Sequence, residues 1–221
     1  MKKMMMLVAA AAVFASAAAV YAQDKVELKL ELPKPMFVGT PVPTKVANLE
    51  PAGTKPPVIM VPKDAVANIA KGKTVTASDA LPVIGELEMV TDGDKEAADG
   101  SYVELGPGLQ WVQVDLGAVN EIYAIAFWHY HQQARIYHDV IVQVADDADF
   151  LQNVRTLYNN DHDNSAGKGV GKDLAYVEVN TGRLVDAKGE KARFVRLYSK
   201  GSTAGEMNHY IEVEVFGRAA K

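Results

Sequence analysis

The sequence contains no cysteine. Disulfide bonds and a lipid-modified cysteine are therefore excluded, and stability has to come from a packed core, with bound metal as a further source. The chain also has no basic run, and its formal net charge is −5. A mildly acidic chain gains little from counterion release on nucleic acid or from anionic lipid, so we expect no nucleic-acid partner.

Motifs that would mark an enzyme are missing as well. No GxSxG sequence occurs, and Ser202 and Thr203 lie in no motif that would activate a nucleophile. Carboxylates are plentiful, but none stands in a recognisable glycosidase setting. The run Gly167–Gly171 lacks the strand and helix that flank a phosphate-binding loop. These absences favour a binding protein over an enzyme.

The N-terminus predicts a signal peptide. Lys2 and Lys3 form a basic start, and the apolar run Leu7–Ala19 is too short to span a membrane comfortably. We expect cleavage after Ala22, with cleavage after Ala19 as the alternative. Cleavage after Ala22 removes two lysines and no acidic residue, which takes the formal charge from −5 to −7. The sequence thus predicts a secreted or periplasmic protein without membrane insertion.

Residues 23–62 predict a proline-rich extended arm or linker. Eight of the ten prolines lie here, and proline removes a backbone donor and fixes φ, so no helix or central strand is expected. Alternating apolar residues in Val26–Leu32 could form one edge strand, and residues such as Met36 and Ile59 argue against full disorder. We expect a semi-rigid segment, either a spacer or one laid along the domain surface. A proline-rich recognition ligand is the functional alternative.

A two-residue period dominates the middle of the chain. Two apolar series repeat at every second residue: Val112, Val114 and Leu116, then Val140, Val142 and Val144. Side chains alternate faces along a strand, so each series predicts a strand with one packed face and one wetter face. Between them, Ile122–Tyr130 is apolar at nearly every residue, typical of a strand covered on both sides. With turns at Gly117–Asn120 and in the HQQAR loop, this pattern predicts an antiparallel all-β core.

The segment Ala192–Ser199 shows the same alternation and predicts a further strand. Arg196 lies within it, and an unpaired charge inside a strand of the core would be costly. We therefore expect Arg196 to pair with a carboxylate such as Asp115.

Five segments occur in a fixed order: NIAKGKTVTAS (Asn68–Ser78), VTDGD (Val90–Asp94), WVQVDLG through DVIVQVADDADF (Trp111–Phe150), ARFVRLYS (Ala192–Ser199) and YIEVEVFG (Tyr210–Gly217). In this combination the chain resembles the discoidin domains, also called coagulation-factor C-type domains. They belong to the galactose-binding-like superfamily, with carbohydrate-binding modules of the family-32 type. The resemblance covers roughly Val66 to Arg218 and implies an antiparallel jelly-roll β-sandwich of about 150 residues.

Together, the N-terminal features, the proline content and this resemblance predict four parts: a signal peptide (1–22), a proline-rich arm (23–62), the sandwich domain (63–218) and a short tail (219–221). It implies a non-catalytic exported module that binds a polysaccharide or a cell-surface glycan through loops at one end of the sandwich. One alternative is an adhesive or scaffold domain that recognises another protein and is tethered by the arm. Another is a metal-dependent hydrolase that uses the histidines.

The loop Glu88–Gly100 combines acidic residues and glycine, which can present oxygen ligands to calcium but more often make a solvated turn. The resemblance implies a structural calcium between this loop and the last strand. Its ligands here would be the side chains of Asp92, Asp94 and Glu212, and the carbonyls of Met89 and Ile211. Where the family often has a threonine, this chain has Ala97, which offers only its carbonyl.

All five histidines lie within the predicted domain. His129 and His131 are two residues apart, so on a strand they project from one face, as a zinc pair with His138 as third ligand would. Hydrogen bonding of a histidine to a loop is the more common outcome of such spacing. Together with Arg135 and Tyr137, His129 supplies the donors and flat face that bind a sugar.

The long loop Tyr158–Asp173 lies between predicted strands at Val154–Tyr158 and Leu174–Val179. Asp161 and Asp163 resemble the start of a calcium loop, but the glycine spacing and closing glutamate of an EF-hand are absent. A ligand contact, ordinary turn hydrogen bonding and a second calcium all stay open for this loop. The candidate ligand residues are His129, His131, Arg135, Tyr137, Asn160, Asp161, His162, Asp163, Asn208 and His209.

Overall fold

The computed structural model describes residues 25–36 and 45–220. They form ten β-strands and two short 3-10 helices, Lys63–Ala65 and Leu87–Thr91. In chain order the strands are β1 (Lys25–Glu27), β2 (Met60–Pro62), β3 (Thr74–Ala77), β4 (Val103–Leu105), β5 (Gln110–Trp128), β6 (Ile141–Ala145), β7 (Arg155–Asn159), β8 (Arg183–Ser199), β9 (Asn208–Tyr210) and β10 (Glu212–Ala219). In this part of the chain no helix is long and apolar enough to cross a membrane. The predicted signal peptide, residues 1–22, lies outside the described residues.

Two long strands, β5 and β8, form the centre of the main sheet. The order in this sheet is β10-β5-β8-β6-β7, and β3 pairs with the first part of β5. These pairings are all antiparallel. Two small sheets accompany it, β1 with β2 and β4 with β9. The antiparallel all-β prediction is confirmed.

The predicted turn at Gly117–Asn120 is wrong. β5 passes through these residues without interruption. Its pairing with β8 shifts register between Asp115 and Asn120, and at the same place its other neighbour changes from β3 to β10. An irregularity of this kind bends a strand and increases its twist, so a single strand can pass from one partner to the next.

The main core contains the apolar series that the two-residue period predicted. Val112, Val114, Val140, Val142 and Val144 are completely buried there. Burial of an aliphatic side chain of this size contributes about 1.5–3 kcal/mol. The second half of β5 is covered on both sides, as predicted. Its alternate residues enter two different clusters, Ile125 and Phe127 in the main core and Ala124, Ala126 and Trp128 in a second cluster.

Both faces of β6 are buried, although its pattern predicted one wetter face. Ile141 packs with Ala166 and Tyr198 in a third cluster, and the Gln143 side chain donates a hydrogen bond to Thr156 Oγ1 at 3.0 Å. Ala166 belongs to the long loop after β7. The loop therefore folds back over the sheet and covers the face that the pattern assigned to solvent.

The described part of the arm lies along the surface of the sandwich. β1 pairs with β2, and Leu28, Ile59 and Val61 are buried in the second cluster, the one that contains Trp128. Asn180 Nδ2 donates to the Pro33 carbonyl at 2.9 Å. Removing these apolar side chains from water fixes the arm on the domain, as the surface-laid alternative expects.

The strand predicted at Leu174–Val179 does not form. Only Ala175 makes a bridge, and its partner is Leu49 of the arm. Further along, the Glu178 amide donates to the Arg135 carbonyl at 2.8 Å. Backbone groups of Ala175 and Glu178 are thus satisfied by the arm and by the loop after β5, rather than by a neighbouring strand.

The predicted pairing of Arg196 with Asp115 is also wrong. The β5–β8 register places Arg196 opposite Gln113, whose Oε1 accepts from Arg196 Nε and Nη2 at 2.8 and 2.6 Å. Arg193 instead donates two hydrogen bonds of 2.7 Å to Asp115. Those bonds lower the pKa of the Asp115 carboxyl. The Arg196 guanidinium lies over the rings of Trp111 and Phe150 at 4.2 and 4.0 Å, which compensates its burial without a carboxylate.

Candidate functional site

The residues predicted to hold calcium lie where the Glu88–Gly100 loop meets the start of β10. Glu212 is completely buried, and its Oε2 accepts from the Gly93 amide at 3.1 Å. Asp92 and Asp94 cap their own loop, since each accepts a backbone amide two residues further on, at 2.7 and 3.0 Å. The ligand oxygens of the three carboxylates do not all come within 4.8 Å of one another. The loop and the terminal strand are therefore joined, but the carboxylates are not gathered around one point.

One carboxylate oxygen of Glu212 nevertheless remains available to bind a cation. Its Oε1 is buried and has no hydrogen-bond partner within residues 25–36 and 45–220. Burial raises the pKa of the Glu212 carboxyl to about 8, with further contributions from Glu214 and Asp92. A cation beside this oxygen would satisfy it and favour the ionised form. The oxygen-only donor set fits a hard cation.

Two side chains fix the carbonyls of the same loop. His131 Nε2 lies 2.8 Å from the Lys95 carbonyl, and Gln132 Nε2 donates to the Ala97 carbonyl. Ala97 has a φ of 56°. His131 thus contacts the loop of the predicted calcium site, and its side chain is completely buried.

His129 and His131 do not form a zinc pair. β5 ends at Trp128, so the alternation rule no longer applies to the residues that follow. His129 Nδ1 lies 3.2 Å from Glu178 Oε2, in the interior beside Tyr137. Among the described residues, no group of three metal-ligating side chains includes a histidine. The histidines that the hydrolase alternative invokes are therefore not gathered into a three-ligand group in the described chain.

A chain of hydrogen bonds joins Glu104, His209 and Tyr137. His209 Nε2 lies 2.9 Å from Glu104 Oε2, and His209 Nδ1 lies 3.0 Å from the Tyr137 hydroxyl. Burial, with the nearby charges of Arg135 and His129, lowers the pKa of His209 to about 4. A neutral ring can accept from the tyrosine hydroxyl at Nδ1 while it donates from Nε2 to the carboxylate.

Arg135 lies next to this chain and is almost completely buried. Its guanidinium is stacked over the Tyr130 ring at 4.5 Å. Tyr102 packs edge-on against Tyr130, with ring centroids 5.2 Å apart. The structure therefore brings four predicted ligand residues (His129, Arg135, Tyr137 and His209) into one polar and aromatic cluster, mostly beneath the surface.

Asn208, a predicted ligand residue, forms hydrogen bonds inside the protein instead of facing a ligand. It is completely buried, and its Oδ1 accepts from Ser199 Oγ and the Gly201 amide at 2.8 Å each. Its Nδ2 donates to the carbonyls of Gly106 and Gly108 at 2.8 and 3.1 Å. With its hydrogen-bonding capacity used internally, the side chain pins two loops together.

The remaining predicted residues meet at the long loop after β7. Asn160, His162 and Asp163 line a depression of about 330 Å³, together with Val46, Ala47, Tyr137, His138, Asp139 and Ala175. Asp161 lies just beneath, completely buried, and accepts the amides of Ser165 and Ala166 at 3.0 and 2.9 Å. A second, open depression of about 650 Å³ lies between the loops at 107–108 and 200–206. His138 lines both depressions, so they are neighbours.

Sequence reasoning missed several residues of these sites, notably Glu104, Glu178 and Asp139. Glu104 contacts His209, and Glu178 contacts His129. Each contact joins segments far apart in sequence, so neither glutamate stands out in the sequence alone. Asp139 carried a weak signal, because it directly precedes a predicted strand. Its φ of 51° marks the tight turn that presents its carboxylate to the depression.

Comparisons with known proteins identify the fold. No family model matches the sequence, and no curated protein matches it. A family 89 glycoside hydrolase from Clostridium perfringens aligns over 69% of this chain with 20% identity and a TM-score of 0.52. This chain spans only 15% of that hydrolase.

Two smaller structures match over nearly their whole length. The lectin domain of lectinolysin, solved with Lewis B antigen, covers 70% of this chain and 98% of its own, with 20% identity and a TM-score of 0.49. A fucose-binding module from Streptococcus pneumoniae covers 68% and 97%, with 17% identity and a TM-score of 0.47. The likeness to the hydrolase structure concerns the fold alone, and the described chain has the antiparallel β-sandwich fold expected from the sequence resemblance.

Proposed function

We propose that this protein is a non-catalytic carbohydrate-binding module. The observation that carries the proposal is the depression beside His138, where polar side chains from the loop before β6 and the loop after β7 face one concave surface. Carbohydrates are bound by such convergent donors and acceptors in a concave site. Tyr137 also lines the depression, but its ring is 2% exposed and stacked on His129, so the binding rests on the polar groups. The second depression, on the other side of His138, would accommodate further sugar units.

The absence of catalysis is part of the proposal. The Ser202 and Thr203 hydroxyls accept backbone amides, from Ala204 at 3.2 Å and Ile136 at 3.1 Å, so both support the local loop structure. The similarity to a glycoside hydrolase involves 15% of that enzyme and concerns the fold alone.

A structural calcium bound by Asp92, Asp94 and Glu212 belongs to the same proposal, as does export through a signal peptide cleaved after Ala22. The calcium part is supported by the buried Glu212 oxygen that lacks a partner in the described chain. When bound, the ion would supply positive charge that ties the loop to β10. Export rests on the sequence of the first 22 residues.

The binding test is a glycan and polysaccharide array probed with the purified mature protein. We expect saturable binding to a defined sugar, reduced about tenfold by His138→Ala, since loss of one well-formed polar contact costs about 1.4 kcal/mol. Leu151→Ala is the matched control, because Leu151 is 81% exposed and lies beyond the opposite end of β6. A blank array from folded protein would reject carbohydrate binding and favour recognition of another protein.

Calcium is tested separately by thermal unfolding with calcium and with chelator. We expect stabilisation of about 3 kcal/mol at a hundredfold excess of calcium over its Kd. Glu212→Gln should abolish this effect. Glu214→Gln should retain it, because Glu214 pairs with Lys95 at 2.9 Å and is not a predicted ligand. An unfolding temperature that does not respond to calcium in the unaltered protein would remove the metal from the proposal.

A further inference from the structure

Within the described residues, the outer edge of β1 has no strand beside it. β1 pairs only with β2, and this ladder continues to the Leu28 amide, which donates to the Ile59 carbonyl at 2.9 Å. Hydrogen-bonded pairs alternate along an antiparallel ladder, so the backbone N–H and C=O groups of Val26 and Leu28 point to β2. Those of Glu27 and Lys29 point to the open edge. Edges of this kind are sites where another chain adds a strand.

Charges of opposite sign alternate along this edge. Four exposed charged residues lie on its solvent face: Lys25, Glu27, Lys29 and Glu31. The residues between them face the domain, where Leu28 is buried in the second cluster and Val26 and Leu30 pack against it. None of the four charged side chains forms an ion pair or a hydrogen bond within residues 25–36 and 45–220. Their charges are therefore available to a partner.

This charge pattern is complementary to itself when two copies of the strand run antiparallel. With a two-fold axis at Leu28, Glu27 lies opposite Lys29 of the second copy, and Lys25 lies opposite Glu31 of the second copy. Opposite charges directly across a pair of strands stabilise it, and like charges destabilise it. The backbone groups of all four residues point to the open edge, so both pairs would be hydrogen-bonded pairs of the new ladder.

Other alignments of the two strands are unfavourable. A shift of two residues places Glu27 opposite its own copy, or Lys29 opposite its own copy, depending on the direction of the shift. A parallel pair in register sets every charge against a like charge. A slip of one residue brings the charged face of one copy beside the apolar face of the other. The charges thus select one direction and one register.

The opposite edge of the hairpin, along β2, is less suited to a partner strand. Pro56, Pro57 and Pro62 lie on or just before β2 and have no N–H to donate. Along β1, in contrast, Val26 would lie opposite Leu30 of the second copy, and the second cluster would continue from one copy to the other. A two-stranded hairpin gains stability when further strands extend it.

We propose that the outer edge of β1 is a dimerisation surface, along which a second copy of this chain adds its own β1 antiparallel to form one four-stranded sheet. The contact is the same on both copies, so it closes at two chains and does not lead to fibres. Dimerisation of this kind does not involve the sugar ligand, so it is tested separately from carbohydrate binding.

The test is sedimentation velocity on the full mature chain, at concentrations from about 1 μM to about 1 mM. We expect a monomer–dimer equilibrium that weakens with salt, because the charged pairs lie on the exposed face of the sheet. Glu27→Lys and Lys29→Glu each set like charges opposite one another at two places in the dimer. Each variant should weaken dimerisation at least about tenfold.

An equimolar mixture of these two variants provides the decisive comparison. Position 27 of one variant then lies opposite position 29 of the other with opposite charges at both places, so the mixture should dimerise as the unaltered chain does. Asp149→Lys is the matched control. It makes the same charge change as Glu27→Lys at an exposed position between β6 and β7, and should leave dimerisation unchanged.

Hydrogen exchange at low and high protein concentration locates the contact. The amides of Glu27 and Lys29 should gain protection on dimerisation, since they point to the open edge. The Leu28 amide should change less, because it is already bonded to Ile59 in the single chain. Protection gained on another surface, with none at Glu27 and Lys29, would overturn the inference.

Three results of the sedimentation experiment would also overturn it. The first is a folded, unaltered chain that stays monomeric over the whole concentration range. The second is a dimer that persists in both charge-reversed variants. The third is a mixture of the two variants that remains monomeric although each variant is folded. None of these results bears on the glycan array, so the carbohydrate-binding proposal stands or falls by its own test.

Discussion

His209 is a half-buried histidine whose surroundings keep it neutral. The ring lies between the Glu104 carboxylate and the Tyr137 hydroxyl, and the Arg135 charge lies nearby. Its pKa falls from 6.5 to about 4 in the folded protein. Between these two values the unfolded chain binds a proton that the folded chain does not, so stability decreases as the pH falls.

We predict that the free energy of unfolding drops by about 2 kcal/mol between pH 7 and pH 4 because of His209, allowing for screening of the ring by solvent. His209→Gln keeps a donor for Glu104 but cannot titrate, so this part of the pH dependence should disappear. Urea denaturation at several pH values measures the difference. An unchanged pH profile in the variant would show that the pKa of His209 is the same in the folded and unfolded states, which would contradict the prediction.

For individual residues, the sequence shows which side chains are polar but not which groups they pair with in the fold. The pairing of Asp115 with Arg193 rather than Arg196 depends on strand register, which a list of residues does not contain. The two-residue spacing of His129 and His131 assumed a strand that in fact ends one residue earlier. Partner choice is decided by where elements end and how they are aligned.

Two glycines, one within β5 and one just before β8, have backbone conformations that only glycine adopts easily. Gly117 has a φ of 84° at the register shift within β5, and a Cβ added there would meet only the end of the Lys73 side chain, at 3.7 Å. Gly182 has a φ of 59° just before β8, and its Cβ would lie 2.5 Å from the Phe127 carbonyl oxygen and 2.7 Å from the Trp128 ring. A side chain would be strained by the positive φ at both positions, but only at Gly182 would it also collide with neighbouring atoms.

This difference makes a matched pair of substitutions. We predict that Gly117→Ala costs about 1 kcal/mol, the usual penalty for a side chain at positive φ. Gly182→Ala should cost more than about 3 kcal/mol, because backbone and ring atoms cannot yield to the added carbon. Chemical denaturation of both variants provides the comparison. Equal losses of stability in the two variants would mean that the backbone before β8 can shift to accommodate the added carbon, against this prediction.

Hydrophobic periodicity found the strands but not the places where they continue or stop. Glycine and asparagine at 117–120 carried the chemistry of a turn, yet the pairing of β5 with β8 resumes at Asn120. The apolar run 174–179 had the composition of a strand, but no neighbouring strand was available to it, apart from the bridge at Ala175. Pairing partners are a property of the whole sheet and override local composition.

For the whole molecule, the arm and the sandwich share one hydrophobic cluster. Val61 of the arm is completely buried beside Trp128, whereas Val58, three residues earlier, is 71% exposed. The sequence allowed either a spacer or a surface-bound segment, because proline content describes stiffness but not attachment.

We predict that Val61→Ala destabilises the protein by about 2 kcal/mol, from lost burial and the cavity left behind. Val58→Ala should change stability by less than about 0.5 kcal/mol. Trp128 fluorescence during denaturation reports on the shared cluster. A separate early transition in the unaltered protein would show that the arm unfolds independently.

The central position of β5 and β8 also bears on how the protein opens. β8 pairs with β5 along nearly all of its length, and each strand has a further neighbour on its other side. Exposing amides in the middle of either strand means separating it from two neighbours at once, whereas the three-residue pair β1–β2 can come apart locally. In native-state hydrogen exchange, we therefore expect the interior amides of β5 and β8 to exchange only through global unfolding. Amides of β1 should exchange through smaller openings whose free energy is insensitive to denaturant.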